Sequence, residues 1–292
     1  KRIFKFRWRT YGNGYKYNLE GDQFSVNPID QIIANPYVLT SLGLSFKETD
    51  RIAKKHFSLT GDDNRRLVAA VTDALRAGTK GGHTVADPKQ IKTRCAELLR
   101  FDHELIDKAM QVSDKQAYII DPVYSTYQSR PAYVMEQVVA KRLLKLNSLS
   151  QALAREDEVC NEVFDHFKHA PDRHELTSQQ RDAVKTSVTS AVSCIIGGAG
   201  TGKTTILNAT IGAYVKLGFI IKPMALSGRA AMRLSESIDM NTSTIAKFVR
   251  ESPVEDDASK HIVVIDEASM LDLPTMYRIV THIDPSVRIL FV

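Results

Sequence analysis

The feature that most constrains this chain is a glycine-rich segment, GGAGTGKT, at residues 197–204. From Gly197 it fits the pattern G-x-x-x-x-G-K-[ST], with an apolar run at 191–196 before it and a segment of helical composition at 204–217 after it. A strand, a glycine-rich turn and a helix in this order are typical of a phosphate-binding loop. Glycines let backbone N–H groups curl around an anion, and the helix directs its positive end at that anion. We therefore expect a nucleotide site here.

The residue types in this loop each suit a role in holding a triphosphate. Lys203 is expected to reach the β- and γ-phosphates, and the Thr204 hydroxyl is expected to bind Mg²⁺. Further residues expected to contact the nucleotide are Gly198, Gly200, Thr201, Gly202 and Thr205. A chance match in a chain of this length has a probability of about one in a hundred. A turn with an unrelated lysine is therefore the weaker interpretation.

An apolar run that ends in two acids, Ile-Val-Val-Ile-Asp-Glu, occupies residues 262–267. It lies downstream of the loop by a plausible βαβ distance, as expected of a Walker B element. Asp266 would hold Mg²⁺ directly or through water, and Glu267 would orient and deprotonate the attacking water. Lys203, Asp266 and Glu267 are thus the expected catalytic residues, and Thr204 and Asp266 the expected metal ligands.

Gln180 has two possible roles that do not exclude each other. With Thr177 it fits a capping box that begins a helix. A glutamine at the entry to a nucleotide site can also pair with the edge of adenine through its amide. Both roles stay open at this point.

Composition sets broad limits. The 292 residues suggest two domains, and a net charge of +5 permits a polyanionic partner without requiring one. No apolar run approaches 18 residues, so we expect no membrane span. The three cysteines are scattered without metal-type spacing, which favours reduced thiols in an intracellular protein.

The order of predicted elements indicates an α/β fold. Predicted strands at 191–196, 220–226, 261–265 and 287–292 alternate with helical segments, which predicts a parallel sheet with ligands at the carboxyl ends of its strands. We expect three regions: a basic, aromatic segment at 1–27, a mainly helical domain at 28–170, and the α/β domain at 171–292. The first region alternates aromatic and basic residues and contains Asn-Gly, which predicts a β-hairpin. That hairpin would either be half-buried with a solvated basic face or bind nucleic acid.

Five segments in order resemble the first five motifs of superfamily 1 helicases of the RecD type. They are LTSQQ at 176–180, GGAGTGKTT at 197–205, ALSGRAA at 225–231, Thr-Ile at 244–245 and VIDEASM at 264–270. Upstream, Asn35-Pro-Tyr37, Asp50-Arg-Ile-Ala53, Gly82-His-Thr84 and a helix around Glu136 resemble the region before the motor in RecD-like helicases. The resemblance covers roughly residues 31–292.

The resemblance implies a RecA-like P-loop domain that uses ATP and Mg²⁺ to move 5′→3′ along single-stranded DNA. The expected DNA contacts are Ser227, Gly228, Arg229 and Thr244. It further implies a cytoplasmic bacterial or phage protein that acts in DNA recombination, repair, or phage or plasmid DNA processing. Other recombination, repair or replication proteins would contact the helical domain, and no membrane is involved.

Three departures from the family pattern stand out. Ala199 replaces a usual proline and Ala246 a frequent histidine, and the sequence ends at the strand that would lead into a Gly-Asp…Gln motif. We therefore expect a fragment without the second motor domain that binds ATP weakly and hardly hydrolyses it. Two other interpretations stay open. One is a P-loop ATPase that acts as a regulatory or assembly switch without unwinding, and the other is a partner-binding module with a vestigial motor.

Overall fold

The computed structural model describes residues 28–148, 153, 155–169, 175–198, 200–251 and 260–292. The predicted hairpin at 1–27 and Ala199 lie outside the described residues. The chain divides into two compact units, Lys1–Arg130 and Pro131–Val292. Each unit is described separately below.

The first unit is mainly helical. Its helices are α1 (Pro28–Ala34), a 3₁₀ helix (Pro36–Leu42), α2 (Phe46–Phe57), α3 (Asn64–Lys80), α4 (Pro88–Leu98) and α5 (His103–Gln111). Three short strands, β1 (Val85–Ala86), β2 (Tyr118–Ile120) and β3 (Tyr127–Ser129), pair antiparallel in the order β1-β3-β2. The capping boxes that begin α2 at Ser45 and α4 at Asp87 follow the local sequence pattern.

An ionised cluster lies within the core of this unit. The carboxylate of Asp50 accepts hydrogen bonds from the Tyr37 hydroxyl and from Arg66 Nε, both at 2.7 Å. Burial opposes the charge on Asp50, but the bonds from Arg66 and Tyr37 outweigh it and hold the pKa of the carboxyl below its ordinary value. The cluster links the 3₁₀ helix, α2 and α3, so it fixes how these three elements pack.

The second unit is built on a five-stranded parallel sheet. Its strands are β4 (Val192–Cys194), β5 (Phe219–Ala225), β6 (Ser243–Thr244), β7 (Lys260–Asp266) and β8 (Arg288–Phe291), in the spatial order β4-β8-β7-β5-β6. Its helices are α6 (Arg130–Ser148), α7 (Glu156–His169), α8 (Ser178–Thr189), α9 (Lys203–Lys216), α10 (Gly228–Ile238), α11 (Ile245–Phe248) and α12 (Leu273–His282). Four of the strands match the predicted strands, whereas β6 is too short to leave a sequence pattern. A mainly helical region followed by this parallel sheet confirms the predicted RecA-like α/β fold.

Both faces of the sheet are covered by helices. Along β7, Ile262 and Val264 pack in a core that includes side chains of α7 to α10. The alternate residues Val263 and Ile265 pack in a second core that includes side chains of α6, α11 and α12. Burial on both faces explains why residues 262–265 of β7 are all apolar.

The position of α6 and α7 explains why the boundary between compact units differs from the predicted one at about residue 170. Leu146 of α6 is buried in the core on one face of the sheet, and Phe167 of α7 is buried in the core on the other. Arg142 of α6 donates to the carbonyl oxygens of Pro285 and Asp284, just before β8. These two helices bury their apolar faces on the sheet, so the second unit begins at Pro131. No helix in the described part of the chain is long and apolar enough to span a bilayer.

Candidate functional site

The sheet brings the predicted site residues to one edge. Cys194 of β4 and Ile265 of β7 both lie level with Phe291 of the intervening β8. Adjacent strands are about 4.8 Å apart, so the carboxyl ends of β4 and β7 lie about 10 Å from each other. On the far side of β7, Ala225 of β5 pairs with Asp266 and also with Thr244 of β6. We call this side the carboxyl edge; it runs from the glycine-rich loop past Asp266 to Ser227 and Thr244.

Two glycines of the loop at 197–204, hereafter the P-loop, cannot be replaced without conflict. A Cβ on Gly197 would lie 2.5 Å from Thr201 Oγ1. Gly202 has a φ of +84°, in the left-handed region, and a Cβ there would lie 2.5 Å from Gln180 Nε2. A side chain at Gly197 would force Thr201 to move, and at Gly202 the positive φ adds backbone strain to the displacement of Gln180.

Lys203 lies over the P-loop. Its Nζ donates to the carbonyl oxygens of Gly197 at 2.6 Å and Gly198 at 3.0 Å. Thr201 Oγ1 donates to the same Gly198 carbonyl at 2.9 Å. These bonds hold the ammonium group inside the concave side of the loop, where an anionic ligand would meet it.

The first turn of α9 suits an anion. Gly202 is the N-cap residue of this 14-residue helix and makes no side-chain cap hydrogen bond. The first backbone N–H groups of a helix need an acceptor from outside, and the helix dipole favours a negative one. A glycine-rich cradle, an ammonium group and uncapped amides together fit a bound phosphate chain.

The residues predicted to hold Mg²⁺ flank this cradle. Thr204 is the second residue of α9, and Asp266 is the last residue of β7. Among the described residues, no three His, Cys, Asp or Glu side chains form a metal-binding group on their own. Mg²⁺ in phosphate sites commonly takes only one or two protein carboxylates and completes its shell with water and substrate oxygens. The donor set at the carboxyl edge is therefore suited to Mg²⁺ held jointly with a triphosphate.

Glu267 has an unusual backbone. Its φ and ψ are +54° and +37°, a left-handed conformation that costs about 1–2 kcal/mol for a residue with a side chain. The Asp266 carboxylate accepts its N–H at 2.9 Å, and the next N–H, of Ala268, donates to the Val292 carbonyl at 2.9 Å. The carboxylate of Glu267 pairs with Arg233 Nη2 of α10 at 3.8 Å.

Gln180 contacts both the start of α8 and the P-loop. Its Oε1 accepts the Thr177 N–H at 3.0 Å, as the capping box requires, and its Nε2 donates to the Thr201 carbonyl at 3.4 Å. Gln180 therefore links α8 to the P-loop in this structure. Its pairing with adenine stays a prediction.

The residues predicted to bind DNA lie at the other end of the carboxyl edge, where two of them begin helices. Ser227 Oγ accepts the Ala230 N–H at the start of α10, and Thr244 Oγ1 accepts the Lys247 N–H at the start of α11, both at 3.2 Å. Gly228 and Arg229 are exposed in the first turn of α10. Sequence reasoning did not single out Arg233; its only signal is its spacing of four residues from Arg229.

Two family models match parts of the chain. A model described as an AAA domain matches residues 175–292, and a model described as the ATP-dependent RecD2 DNA helicase HHH domain matches residues 21–85. The first match covers the sheet of the second unit from α8 onward, and the second lies in the helical first unit.

Curated relatives agree with these matches. The RecBCD enzyme subunit RecD of Haemophilus influenzae is 28% identical over 194 residues, which is 54% of this chain and 29% of the relative. The ATP-dependent RecD2 DNA helicase of Deinococcus radiodurans is 23% identical over 285 residues, covering 92% of this chain and 39% of the relative. A RecBCD enzyme subunit RecD of Mycobacterium tuberculosis is 24% identical and covers 82% of this chain and 46% of the relative.

The chain thus spans less than half the length of each of these relatives. Its helical first unit, its parallel sheet with a P-loop, and its matches to RecD and RecD2 proteins all agree. In sequence and in fold, the chain is therefore similar to RecD-like helicases.

Proposed function

We propose that the protein to which this chain belongs is an ATP-dependent DNA helicase or translocase that moves 5′→3′ on single-stranded DNA. One observation carries the proposal. The P-loop, the Asp266–Glu267 pair and the Ser227 and Thr244 helix starts all lie along one edge of a single sheet. A nucleotide at one end of that edge and DNA at the other would share the same rigid support. The direction of movement rests on the resemblance alone.

ATP would be held by the P-loop. Gly198, Gly200 and Gly202 keep its backbone N–H groups open to the phosphates, and Lys203 supplies the charge. Thr201 and Thr205 line the loop and the first turn of α9, and Gln180 lies beside it for contact with adenine. Thr204 and Asp266 would hold Mg²⁺, which neutralises charge that develops on the phosphates.

Hydrolysis would depend on Glu267. This residue follows the metal-binding position of Asp266 directly, so its carboxylate can accept a proton from a water molecule at the same end of β7. Its left-handed backbone supports this role, since residues in sparsely populated conformations cluster at functional sites.

DNA would bind at the far end of the edge. Phosphates can accept from the backbone N–H groups at the start of α10, from Arg229, and from the hydroxyl protons of Ser227 and Thr244. Gly228 has no side chain, which allows a phosphate to approach the helix start closely. We further propose that recombination, repair or replication proteins contact the helical first unit, and that the protein acts in the cytoplasm.

A regulatory ATPase without unwinding is the second candidate. The observation in its favour is that the Ser227 and Thr244 hydroxyls already serve as helix caps, which explains their presence without DNA. The two candidates differ in whether single-stranded DNA stimulates hydrolysis.

The test uses the protein expressed from its full reading frame. Unwinding of 5′-tailed and 3′-tailed duplexes is compared for the wild type, Lys203→Ala, and Lys216→Ala as a control at the exposed end of the same helix. We expect unwinding of 5′-tailed duplexes by the wild type and Lys216→Ala, and none by Lys203→Ala. A preference for 3′-tailed duplexes would overturn the proposed 5′→3′ polarity. ATP hydrolysis that single-stranded DNA does not stimulate would favour the regulatory ATPase.

A further inference from the structure

We propose that Arg233 is a positioning residue that couples DNA binding to the water-activating carboxylate of Glu267. In the DNA-free protein, Arg233 pairs with that carboxylate and keeps it away from the attacking water. A DNA phosphate at the start of α10 attracts Arg233, which breaks the ion pair and frees the Glu267 carboxylate. This inference rests on the proposed function, because it needs both a nucleotide at the P-loop and DNA at α10.

The backbone of Glu267 is fixed, so its side chain is the part that can move. The Asp266 carboxylate holds the Glu267 N–H on one side, and the Val292 carbonyl holds the Ala268 N–H on the other. Within the described residues, the cation that pairs with the Glu267 carboxylate is Arg233, at 3.8 Å. The Glu267 carboxylate therefore has an ion-pair partner on α10, the helix expected to contact DNA.

Helix α10 is suited to couple DNA binding to Glu267 because its packing and its N-cap hold it in place. Ala230, Ala231, Leu234 and Ile238 are buried, and Ser227 caps the helix start. The helix begins three residues beyond Ala225, which is level with Asp266 on the neighbouring strand. A phosphate that binds at the start of α10 is thus one strand away from the Walker B element.

Arg229 and Arg233 are one helical turn apart on the same side of α10. Four residues of helix rise about 6 Å, which is within the Debye length of about 8 Å at physiological salt. A phosphate bound by Arg229 would therefore attract the Arg233 guanidinium as well. The phosphate would compete with the Glu267 carboxylate for the Arg233 guanidinium.

The ion pair is weak enough to be displaced. The side chain of Arg233 is 73% exposed and that of Glu267 is 41% exposed. Exposed pairs contribute little, so we expect its removal to change the rate of hydrolysis by about two- to fivefold. A tightly buried pair would resist competition from DNA, whereas this one would yield to it.

The experiment measures kcat and KM for ATP, with and without saturating oligo(dT), on the full-length protein. Arg233→Ala is compared with Arg233→Lys and with Arg278→Ala, which removes an exposed arginine of α12. We expect Arg233→Ala to raise DNA-free kcat about two- to fivefold while DNA-saturated kcat and KM stay unchanged, so that the stimulation ratio falls. Arg233→Lys and Arg278→Ala should keep the wild-type ratio.

The remaining outcomes are distinguishable. If the wild type is stimulated by DNA but Arg233→Ala shows the same DNA-free kcat, or a loss of kcat with and without DNA alike, the coupling role is overturned and the proposed function stands. If the wild type itself is not stimulated by DNA, the proposed function fails, and the coupling fails with it. Thermal unfolding and oligo(dT) binding by fluorescence anisotropy establish that each variant is folded.

Discussion

Gln180 and Gly202 lie so close that a β-carbon on Gly202 would be 2.5 Å from the Gln180 amide nitrogen. The two residues are 22 positions apart and belong to different elements, α8 and the cap of α9. A side chain at the start of α9 would therefore displace the capping glutamine of α8. The positive φ of Gly202 favours glycine at this position independently of that contact.

Gly202→Ala should weaken nucleotide binding strongly. The added methyl group must displace Gln180, and the residue must keep a φ of +84°, which costs about 1–2 kcal/mol. Gly218→Ala is the matched control, because Gly218 has a φ of +80° with nothing within 4 Å of the added carbon. Both variants should lose similar stability in thermal unfolding, but only Gly202→Ala should raise the Kd of a fluorescent ATP analogue. Equal Kd values for the two variants would mean that the contact with Gln180 does not shape the site.

Thr244→Ala separates the capping role of this hydroxyl from its proposed DNA contact. Loss of the cap on α11 should cost about 1 kcal/mol of unfolding free energy. Loss of a donor to phosphate should raise the Kd for oligo(dT) by about two- to tenfold, measured by fluorescence anisotropy. Thr244→Ser retains a hydroxyl and should preserve both properties. A variant that is less stable but binds DNA normally would leave Thr244 with its capping role alone.

Asp50→Asn should destabilise the first unit. The guanidinium of Arg66, with a side chain only 3% exposed, would lose its charged partner, and breaking a buried pair in this way costs about 3–5 kcal/mol. Asp107→Asn, whose carboxylate is 62% exposed and pairs with Lys92, is the control and should change stability by less than about 1 kcal/mol. Urea unfolding followed by circular dichroism measures both.

The same carboxylate predicts a dependence of stability on pH. Because the pKa of Asp50 is lower in the folded protein, the charged form stabilises the fold at neutral pH. This contribution should be lost as the pH falls below about 4, the ordinary range of a free aspartate. As the pH falls from about 4 downward, Asp50→Asn should lose less stability than the wild type. An identical pH profile for both proteins would show that Asp50 is not the group responsible.

The three cysteines should differ in their reaction with iodoacetamide. Burial raises the pKa of the Cys95 thiol to about 12 and also raises that of Cys160, so neither presents a thiolate near neutral pH. Cys194, at the end of β4, is exposed. We expect mass spectrometry to find Cys194 alkylated in the native protein and the other two only in urea. Rapid labelling of Cys95 in the native state would contradict its position in the core.

Local patterns in the sequence were sufficient for much of the fold. The sequence predicted strands at 261–265 and 287–292, which match β7 and β8, because strands buried on both faces are rich in consecutive apolar residues. Thr177 and Gln180 predicted the start of α8 because a capping box involves residues only three positions apart. The P-loop was recognisable because its glycines, lysine and threonine form one short, uninterrupted segment.

Contacts between distant segments were decided by the tertiary structure. Three relationships in the site depend on which strands and helices become neighbours. They are the level position of Asp266 and Thr244, the closeness of Gln180 to Gly202, and the ion pair of Arg233 with Glu267. The packing of α6 and α7 on the sheet, which moves the start of the second unit to Pro131, has the same origin. An apolar helix face is visible in a sequence, but the surface that buries it is determined by long-range packing.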